Sequence, residues 1–180
     1  STQYLKSCGI DPIPLIDSIN EDFLTDKYLD RIDHKENIIL YNPTKGWKVT
    51  QQLIAKYPQW QFLPLKGLNR DQLSEKLYKA KLYIDFGHHP GKDRLPREAA
   101  ASGCLVMTLK AGAAQFFEDV PIAAIYKFSK SDVENGALQR SLQTIDTDYA
   151  SHWHDQQRYR SRIRQEKSTF DAEALSVFGA

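Results

Sequence analysis

The segment from Gly87 to Glu98 concentrates residue types that bind phosphate. A short apolar run precedes it and a run of alanines follows it, which predicts a strand, a loop and the first turn of a helix. Free backbone N–H groups and a partial positive charge lie at such a helix start. Lys92, Arg94 and Arg97 add positive charge, and Gly91 allows the backbone to approach a ligand closely. These features favour an anion site, best suited to phosphate, over a solvated basic loop.

Glu98 falls in the first turn of the same predicted helix. A carboxylate there either stabilises the helix dipole or accepts hydrogen bonds from the diol of a ribose. Because the phosphate site lies beside it, we favour the ribose role.

Two other loops carry a lysine followed by a glycine directly after a predicted strand. Lys45 and Gly46 offer a charge and a permissive backbone, although such a pair is also common in ordinary turns. The segment Lys66, Gly67 and Leu68 could present backbone groups to a base edge, and a turn explains it equally well. Neither loop is sufficient evidence for a site by itself.

Other catalytic and metal-binding motifs are not complete in this sequence. Gly87 to Lys92 is one residue too short for a P-loop, and there is no Gly-x-Gly-x-x-Gly, His-Glu-x-x-His or Gly-x-Ser-x-Gly. The histidine pairs, at 88–89 and at 152 and 154, have no nearby cysteine or carboxylate set, so we expect no metal site. Asp146 and Asp148 form an Asp-x-Asp that fits helix capping better than Mn²⁺ binding. The tryptophans are interpreted as packing residues: Trp47, Trp60 and Trp153.

The composition excludes several classes of protein. The 180 residues are 41% hydrophobic and 26% charged, with a net charge of +1, so they give no electrostatic case for nucleic acid. No run approaches the ~20 apolar residues of a membrane span, and the first residues do not resemble a signal peptide. Two cysteines cannot form a disulfide framework, which favours a reduced, cytoplasmic compartment. Coiled-coil and collagen patterns do not occur either.

The elements that must position these loops alternate between strands and helices. We predict strands at residues 37–41, 61–65, 81–86, 105–108 and 122–126, and helices at 49–57, 70–80 and 96–102, the last closed by Gly103. The tail is predicted to be helical from residue 131 onwards. This order predicts an α/β, Rossmann-like doubly wound parallel sheet over residues 37–180, after a lead-in segment over 1–36. Ligands of such sheets bind beyond the carboxyl ends of the strands, where residues 42–46, 65–68 and 87–98 would share one crevice.

The stretch from residue 80 to residue 106 resembles the C-terminal, nucleotide-sugar-binding domain of GT-B glycosyltransferases. It is most similar to the large retaining family with a Glu-x7-Glu motif (glycosyltransferase family 4-like, group 1). Gly91 matches the glycine of that motif and Glu98 its second glutamate without a gap. The resemblance implies that Lys45 binds phosphate and that the Lys66–Leu68 segment meets the base. It also implies a UDP- or GDP-sugar donor, no metal, no cofactor, and Lys92 among the donor-binding residues.

Two departures from the family pattern concern the donor sugar and the diphosphate. Pro90 stands in place of the first motif glutamate, which in the family contacts the donor sugar. Asn42 and Pro43 replace a Gly-Arg pair, so Arg94 would supply the missing guanidinium. Lys45 and Arg94 would then stabilise the leaving diphosphate and are the predicted catalytic residues.

The resemblance covers one of the two domains that a GT-B enzyme needs. We therefore expect a donor-binding domain, inactive in isolation, that meets an acceptor-binding N-terminal domain of a longer chain or of a partner subunit. The resemblance implies that the acceptor is a glycan or a lipid-linked saccharide in polysaccharide biosynthesis. The acceptor-binding N-terminal domain would be the part that contacts the inner face of a membrane. The alternatives are a non-catalytic module that binds nucleotide sugars or assembles with a partner, and a metal-dependent transferase that uses Asp146 and Asp148.

Overall fold

The computed structural model describes residues 2–13, 15–25 and 32–179. Within these ranges a five-stranded sheet is formed by β1 Glu36–Tyr41, β2 Gln61–Pro64, β3 Ala80–Asp85, β4 Leu105–Leu109 and β5 Lys127–Phe128. The helices are α1 Thr2–Ser7, α2 Trp47–Lys56, α3 Arg70–Lys79, α4 Arg94–Ala101, α5 Lys130–Glu134, α6 Ala137–Thr147, α7 Tyr149–Asp155 and α8 Gln157–Phe178. Gly103 follows α4 with a φ of 83°, which confirms the predicted helix end.

The sheet is parallel throughout, with the strand order β2-β1-β3-β4-β5. The connection from β1 to β2 runs toward one edge of the sheet, and the connections from β2 to β3 and from β3 to β4 run toward the opposite edge. Because such crossovers are right-handed, α2 is expected on one face of the sheet and α3 and α4 on the other. The predicted doubly wound α/β fold is therefore confirmed. The order reverses between β1 and β3, and ligands of this fold bind at the carboxyl ends of the two strands that flank such a reversal.

The fifth strand begins later and is shorter than predicted. The expectation of a strand at residues 122–126 is wrong, because Ala124–Tyr126 forms a 3-10 helix and β5 starts at Lys127. The N–H of Ile122 donates to the carbonyl of Val120, so this backbone group is satisfied within a turn rather than in the sheet. Ile122 and Tyr126 are nevertheless buried, and that explains their strand-like apolar pattern.

The lead-in segment contributes to the hydrophobic core. Ile19 and Phe23 are almost fully buried and belong to the same cluster as the strands of the sheet. Phe23 ends a 3-10 helix that Asn20 caps, since its side chain accepts a hydrogen bond from the N–H of Asp22. The lead-in segment predicted at 1–36 lies partly outside the described residues.

Lys35, directly before β1, connects the amino ends of the strands to the carboxyl ends of α3 and α4. Its Nζ donates to the carbonyl oxygens of Leu77 at 3.1 Å and of Ser102 at 2.8 Å, at the ends of α3 and α4, where carbonyls lack helical partners. Burial lowers the pKa of Lys35 to about 8. A neutral amine still has two N–H donors, which is the number that these carbonyls require.

No described helix combines the length and the hydrophobicity needed to cross a bilayer.

Candidate functional site

The loops after β1 and β3 meet at the point where the strand order reverses. Gly46 has a φ of 64°, and a Cβ atom there would lie 2.5 Å from the carbonyl oxygen of Phe86, so only glycine fits this backbone approach. The Nζ of Lys45 lies 2.5 Å from Oδ2 of Asp93, the residue immediately before α4. The structure thus brings Lys45 to the first turn of α4, as the sequence analysis expected, and it also supplies a carboxylate partner.

Arg94, Glu98 and Leu68 line one hollow beyond the carboxyl end of the sheet. Its volume is about 210 Å³. The β2–α3 loop and the start of α3 form one wall, and the first turns of α4 and the lead-in segment form the others. The lining residues are Asn20, Phe23, Leu68, Asn69, Arg70, Leu73, Arg94 and Glu98.

Glu98 is half-buried in this hollow among several guanidinium groups. Burial raises the pKa of its carboxyl group, while the charges of Arg94, Arg97 and Arg70 act in the opposite direction. Arg94 is largely exposed, with its Nε 3.5 Å from Oδ2 of Asp17. The hollow therefore offers a carboxylate acceptor and flexible cationic donors, which suits a ligand that has both hydroxyl and anionic groups.

Two cations of the same loop point away from the hollow. Lys92 Nζ lies 2.5 Å from one oxygen of Glu166 on α8, and Arg97 NH1 lies 2.8 Å from the other. Arg97 is completely buried and also donates to the side chain and backbone of Asp17. Its remaining bonds, to the carbonyls of Lys92 and Asp93, hold the loop itself. The structure thus gives Arg97 a structural role and engages Lys92 in a buried ion pair outside the candidate site.

The other predicted site residues differ in how they are placed. Lys66 and Gly67 are exposed, and Gly67 has a φ of 67°, which fits the turn interpretation of this loop. Leu68, two residues after Lys66, is the member of that segment that reaches the hollow. Gly91 does not have a left-handed backbone, and a Cβ added there would contact nothing within 4 Å.

A second polar cluster at this edge was missed by the sequence analysis. His89 is fully buried, with Nε2 3.4 Å from Oδ1 of Asp85 and Nδ1 3.6 Å from Oδ2 of Asp93. The statement that no carboxylate set accompanies this histidine is wrong, because residues four positions before and four after it fold back onto the ring. The D-x-x-x-H-x-x-x-D spacing was the available signal, but the loop must fold before that spacing becomes a contact. One imidazole and two carboxylates are a donor set that can hold a metal ion.

Asp85 is held from the opposite side by its own strand. The hydroxyl of Tyr83 donates to Oδ2 of Asp85 at 2.9 Å, and the N–H of Gly87 donates to Oδ1 at 3.2 Å. Burial by itself would raise the pKa of Asp85, but the neighbouring His89 ring, the charge of Lys45 and the Tyr83 hydroxyl hold this pKa below its usual range. The Asp85 carboxylate is thus ionised and fixed in orientation.

The remaining sequence candidates lie away from this edge or differ from expectation. Asp148 caps α7 by accepting a hydrogen bond from the N–H of Ser151, which confirms the capping interpretation for this residue, whereas Asp146 lies within α6. Trp60 and Trp153 are buried, whereas Trp47 is 46% exposed and packs only in part, with its ring stacked on Tyr41. A groove of about 540 Å³ between α2 and α5 is larger than the hollow but includes none of the residues that the sequence analysis selected.

Comparison of the sequence with family models and with curated proteins gives no match. The fold and this edge define an α/β, Rossmann-like protein with an all-parallel five-stranded sheet and a small polar hollow between the β2–α3 loop and the first turns of α4.

Proposed function

We propose that the chain is the donor-binding domain of a retaining glycosyltransferase and that it binds the nucleoside part of an NDP-sugar in the hollow beside α4. The observation that carries this proposal is that Glu98, Arg94 and Leu68 line the same hollow at the carboxyl edge of the sheet. Ligand pockets are typically ~300–1,000 Å³, so a hollow of about 210 Å³ suits a nucleoside rather than a whole nucleotide sugar. Glu98 would accept the hydrogen bonds of the ribose hydroxyls.

The diphosphate would lie at the start of α4, between the guanidinium of Arg94 and the ammonium of Lys45. Arg94 is exposed and paired only at 3.5 Å with Asp17, so it can turn toward an anion at little cost. Lys45 would have to exchange its contact with Asp93 for one with phosphate. Both cations stabilise negative charge that grows on the leaving diphosphate, so they lower the barrier to transfer as well as favour binding.

The test is calorimetric titration of the chain with UDP, GDP and the two corresponding nucleosides. A hydrogen bond to a charged group contributes ~1.5–3 kcal/mol, so Glu98→Gln should weaken binding of nucleotide and nucleoside alike by about ten- to a hundredfold. Arg94→Ala should weaken the nucleotide while leaving the nucleoside nearly unchanged.

The matched control is Glu134→Gln, which neutralises an exposed carboxylate at the end of α5, outside the hollow. It should bind as the unchanged chain does. If Glu98→Gln binds all four ligands as tightly as the unchanged chain does, the ribose contact is refuted. Equal losses for nucleotide and nucleoside with Arg94→Ala would refute the phosphate contact.

A second candidate function is a non-catalytic binding or assembly module with the same fold. It is favoured by the ion pairs of Lys92 and Arg97 with Glu166, since two of the loop's cations are already neutralised within the chain. Pro90, in place of a sugar-contacting glutamate, points the same way. Failure of both nucleotides to bind at millimolar concentration would support this candidate over the first.

A further inference from the structure

Asp85, His89 and Asp93 form a buried cluster whose central ring lacks ordinary hydrogen bonds. His89 is 0% exposed, and within the part of the chain that the structure describes neither ring nitrogen has a hydrogen-bond partner. The nearest acceptors are the two carboxylates, at 3.4 and 3.6 Å. Buried polar atoms are rarely left in this condition, because an unsatisfied buried donor or acceptor destabilises the folded state, and a bound ion is one of the ordinary reasons for it.

We propose that these three residues form a binding site for a divalent transition-metal ion of the Zn²⁺ class. The ion would take one ring nitrogen of His89 and one oxygen from each carboxylate, and these three ligand atoms already lie within 4.8 Å of one another. Metal–ligand bonds of ~2.1 Å in a tetrahedral site place neighbouring ligand atoms about 3.4 Å apart. Asp85 faces Nε2 of the ring and Asp93 faces Nδ1, so one carboxylate would have to move toward the nitrogen that the ion takes. This inference does not depend on the proposed binding of a nucleotide.

The donor set determines which kind of ion fits. Mg²⁺ and Ca²⁺ prefer sites built from oxygen, and a histidine nitrogen together with two carboxylates suits zinc and its neighbours in the first transition series. Two carboxylates and a divalent ion also cancel in charge. At present the Lys45 ammonium compensates only one of the two negative charges.

The surroundings hold two of the three ligands in place without the ion. The Tyr83 hydroxyl and the Gly87 amide fix the Asp85 carboxylate, as groups around metal ligands commonly do. The backbone of His89 is held by hydrogen bonds from its N–H to the carbonyl of Ala111 and from the N–H of Ala113 to its own carbonyl.

The third ligand lies on the side from which an ion can enter. Asp85 and His89 are closed to solvent, whereas the side chains of Asp93 and Lys45 are 19% and 27% exposed. A water molecule would complete the coordination from that side. Lys45 contacts the same oxygen of Asp93 that the ion needs, so the ammonium acts as a competitor that the ion displaces.

The test is titration of the chelator-treated chain with Zn²⁺ in competition with a chromophoric chelator, followed by Co²⁺, whose visible absorption reports its coordination. We expect one ion per chain with micromolar or tighter affinity. Asp93→Asn and His89→Gln should each weaken binding by about tenfold or more. Lys45→Met should tighten binding by about tenfold, because the competing charge is removed. Circular dichroism shows whether each variant is folded. If His89→Gln does not fold, Asp93→Asn alone tests the metal site.

The matched control is His88→Gln, which removes the exposed histidine next to the cluster and should leave affinity unchanged. The proposal is wrong if Zn²⁺ does not bind at micromolar concentration. It is also wrong if Asp93→Asn binds as tightly as the unchanged chain, or if His88→Gln loses the ion. Unchanged affinity of Lys45→Met would overturn the role given to the lysine.

Discussion

Replacement of Arg97 by methionine tests whether this arginine serves the fold rather than a ligand. Its guanidinium is completely buried and donates to Glu166 and to the side chain of Asp17 at 2.8 Å each, and to the Asp17 carbonyl at 2.9 Å. These bonds join α4 to α8 and to the lead-in segment. Methionine keeps much of the volume, so the variant removes the charge and its hydrogen bonds without opening a large cavity.

The expected cost follows from what the substitution leaves behind. Removing one partner of a buried ion pair costs ~3–5 kcal/mol because the other charge stays buried and uncompensated. Glu166 is only 3% exposed but keeps Lys92 at 2.5 Å, so the lower half of this range applies, about 3 kcal/mol. That is a large share of the ~5–15 kcal/mol by which a domain is stable.

The assay is urea unfolding of Arg97→Met, Glu166→Gln and the double variant, followed by circular dichroism. The two losses should be strongly non-additive, with the double variant less destabilised than the sum of the single ones. Arg158→Met, on the exposed side of α8, is the control and should change the free energy of unfolding by no more than ~0.5 kcal/mol. A loss of under ~1 kcal/mol for Arg97→Met would refute the structural role and return this arginine to the list of ligand-binding cations.

Two further predictions concern the backbone at His89 and the buried lysine at the other edge of the sheet. Gly112→Ala should destabilise the chain by ~1–3 kcal/mol in urea unfolding, because φ is 64° and the new Cβ would lie 2.1 Å from the carbonyl oxygen of His89. Gly91→Ala, whose Cβ would have no atom within 4 Å, should cost far less. Equal costs for the two variants would contradict the prediction. Between about pH 8 and 10 the unfolded chain should hold a proton on Lys35 that the folded chain has lost. The contribution of Lys35 to the free energy of unfolding therefore rises with pH, by up to ~3 kcal/mol. Lys35→Met should remove this contribution, which is measured as the difference between the pH profiles of unfolding of the variant and of the unchanged chain. Identical pH profiles would refute the role of Lys35. Above pH 10 buried tyrosines such as Tyr159, whose pKa is raised, lower the free energy of unfolding as pH rises.

The fold was predictable because its signals are local and repeated. Apolar runs such as residues 37–41 and 81–86 alternate with helical stretches, and right-handed crossovers then leave few arrangements of the sheet. The error at residues 122–126 has the same origin. A turn that buries Ile122 and Tyr126 has the same pattern of apolar residues as a strand, and only the backbone hydrogen bonds distinguish the two structures.

The candidate site was predictable only in its location. The hollow lies at the carboxyl edge of the sheet and gathers Arg94, Glu98 and Leu68, but residues 42–46, which were expected in the same crevice, do not line it. The partners of the charged side chains were not predictable, because they come from distant segments. Glu166 lies more than sixty residues after Arg97 and faces it only once α8 packs on α4.

The number of cations in a loop is therefore a poor measure of the charge that a ligand meets there. A buried cation is expensive unless acceptors or a carboxylate accompany it, and the cations that the fold buries in this segment are those that Glu166 already neutralises. Arg97 and Lys92 follow this rule, and the exposed Arg94 keeps its charge available. Lys45 is intermediate, since it is partly exposed and paired with Asp93, a carboxylate that also faces His89. A diphosphate held by Lys45 and an ion held by Asp93 would each have to break that contact, so Lys45 is the side chain through which these two proposed ligands would affect each other.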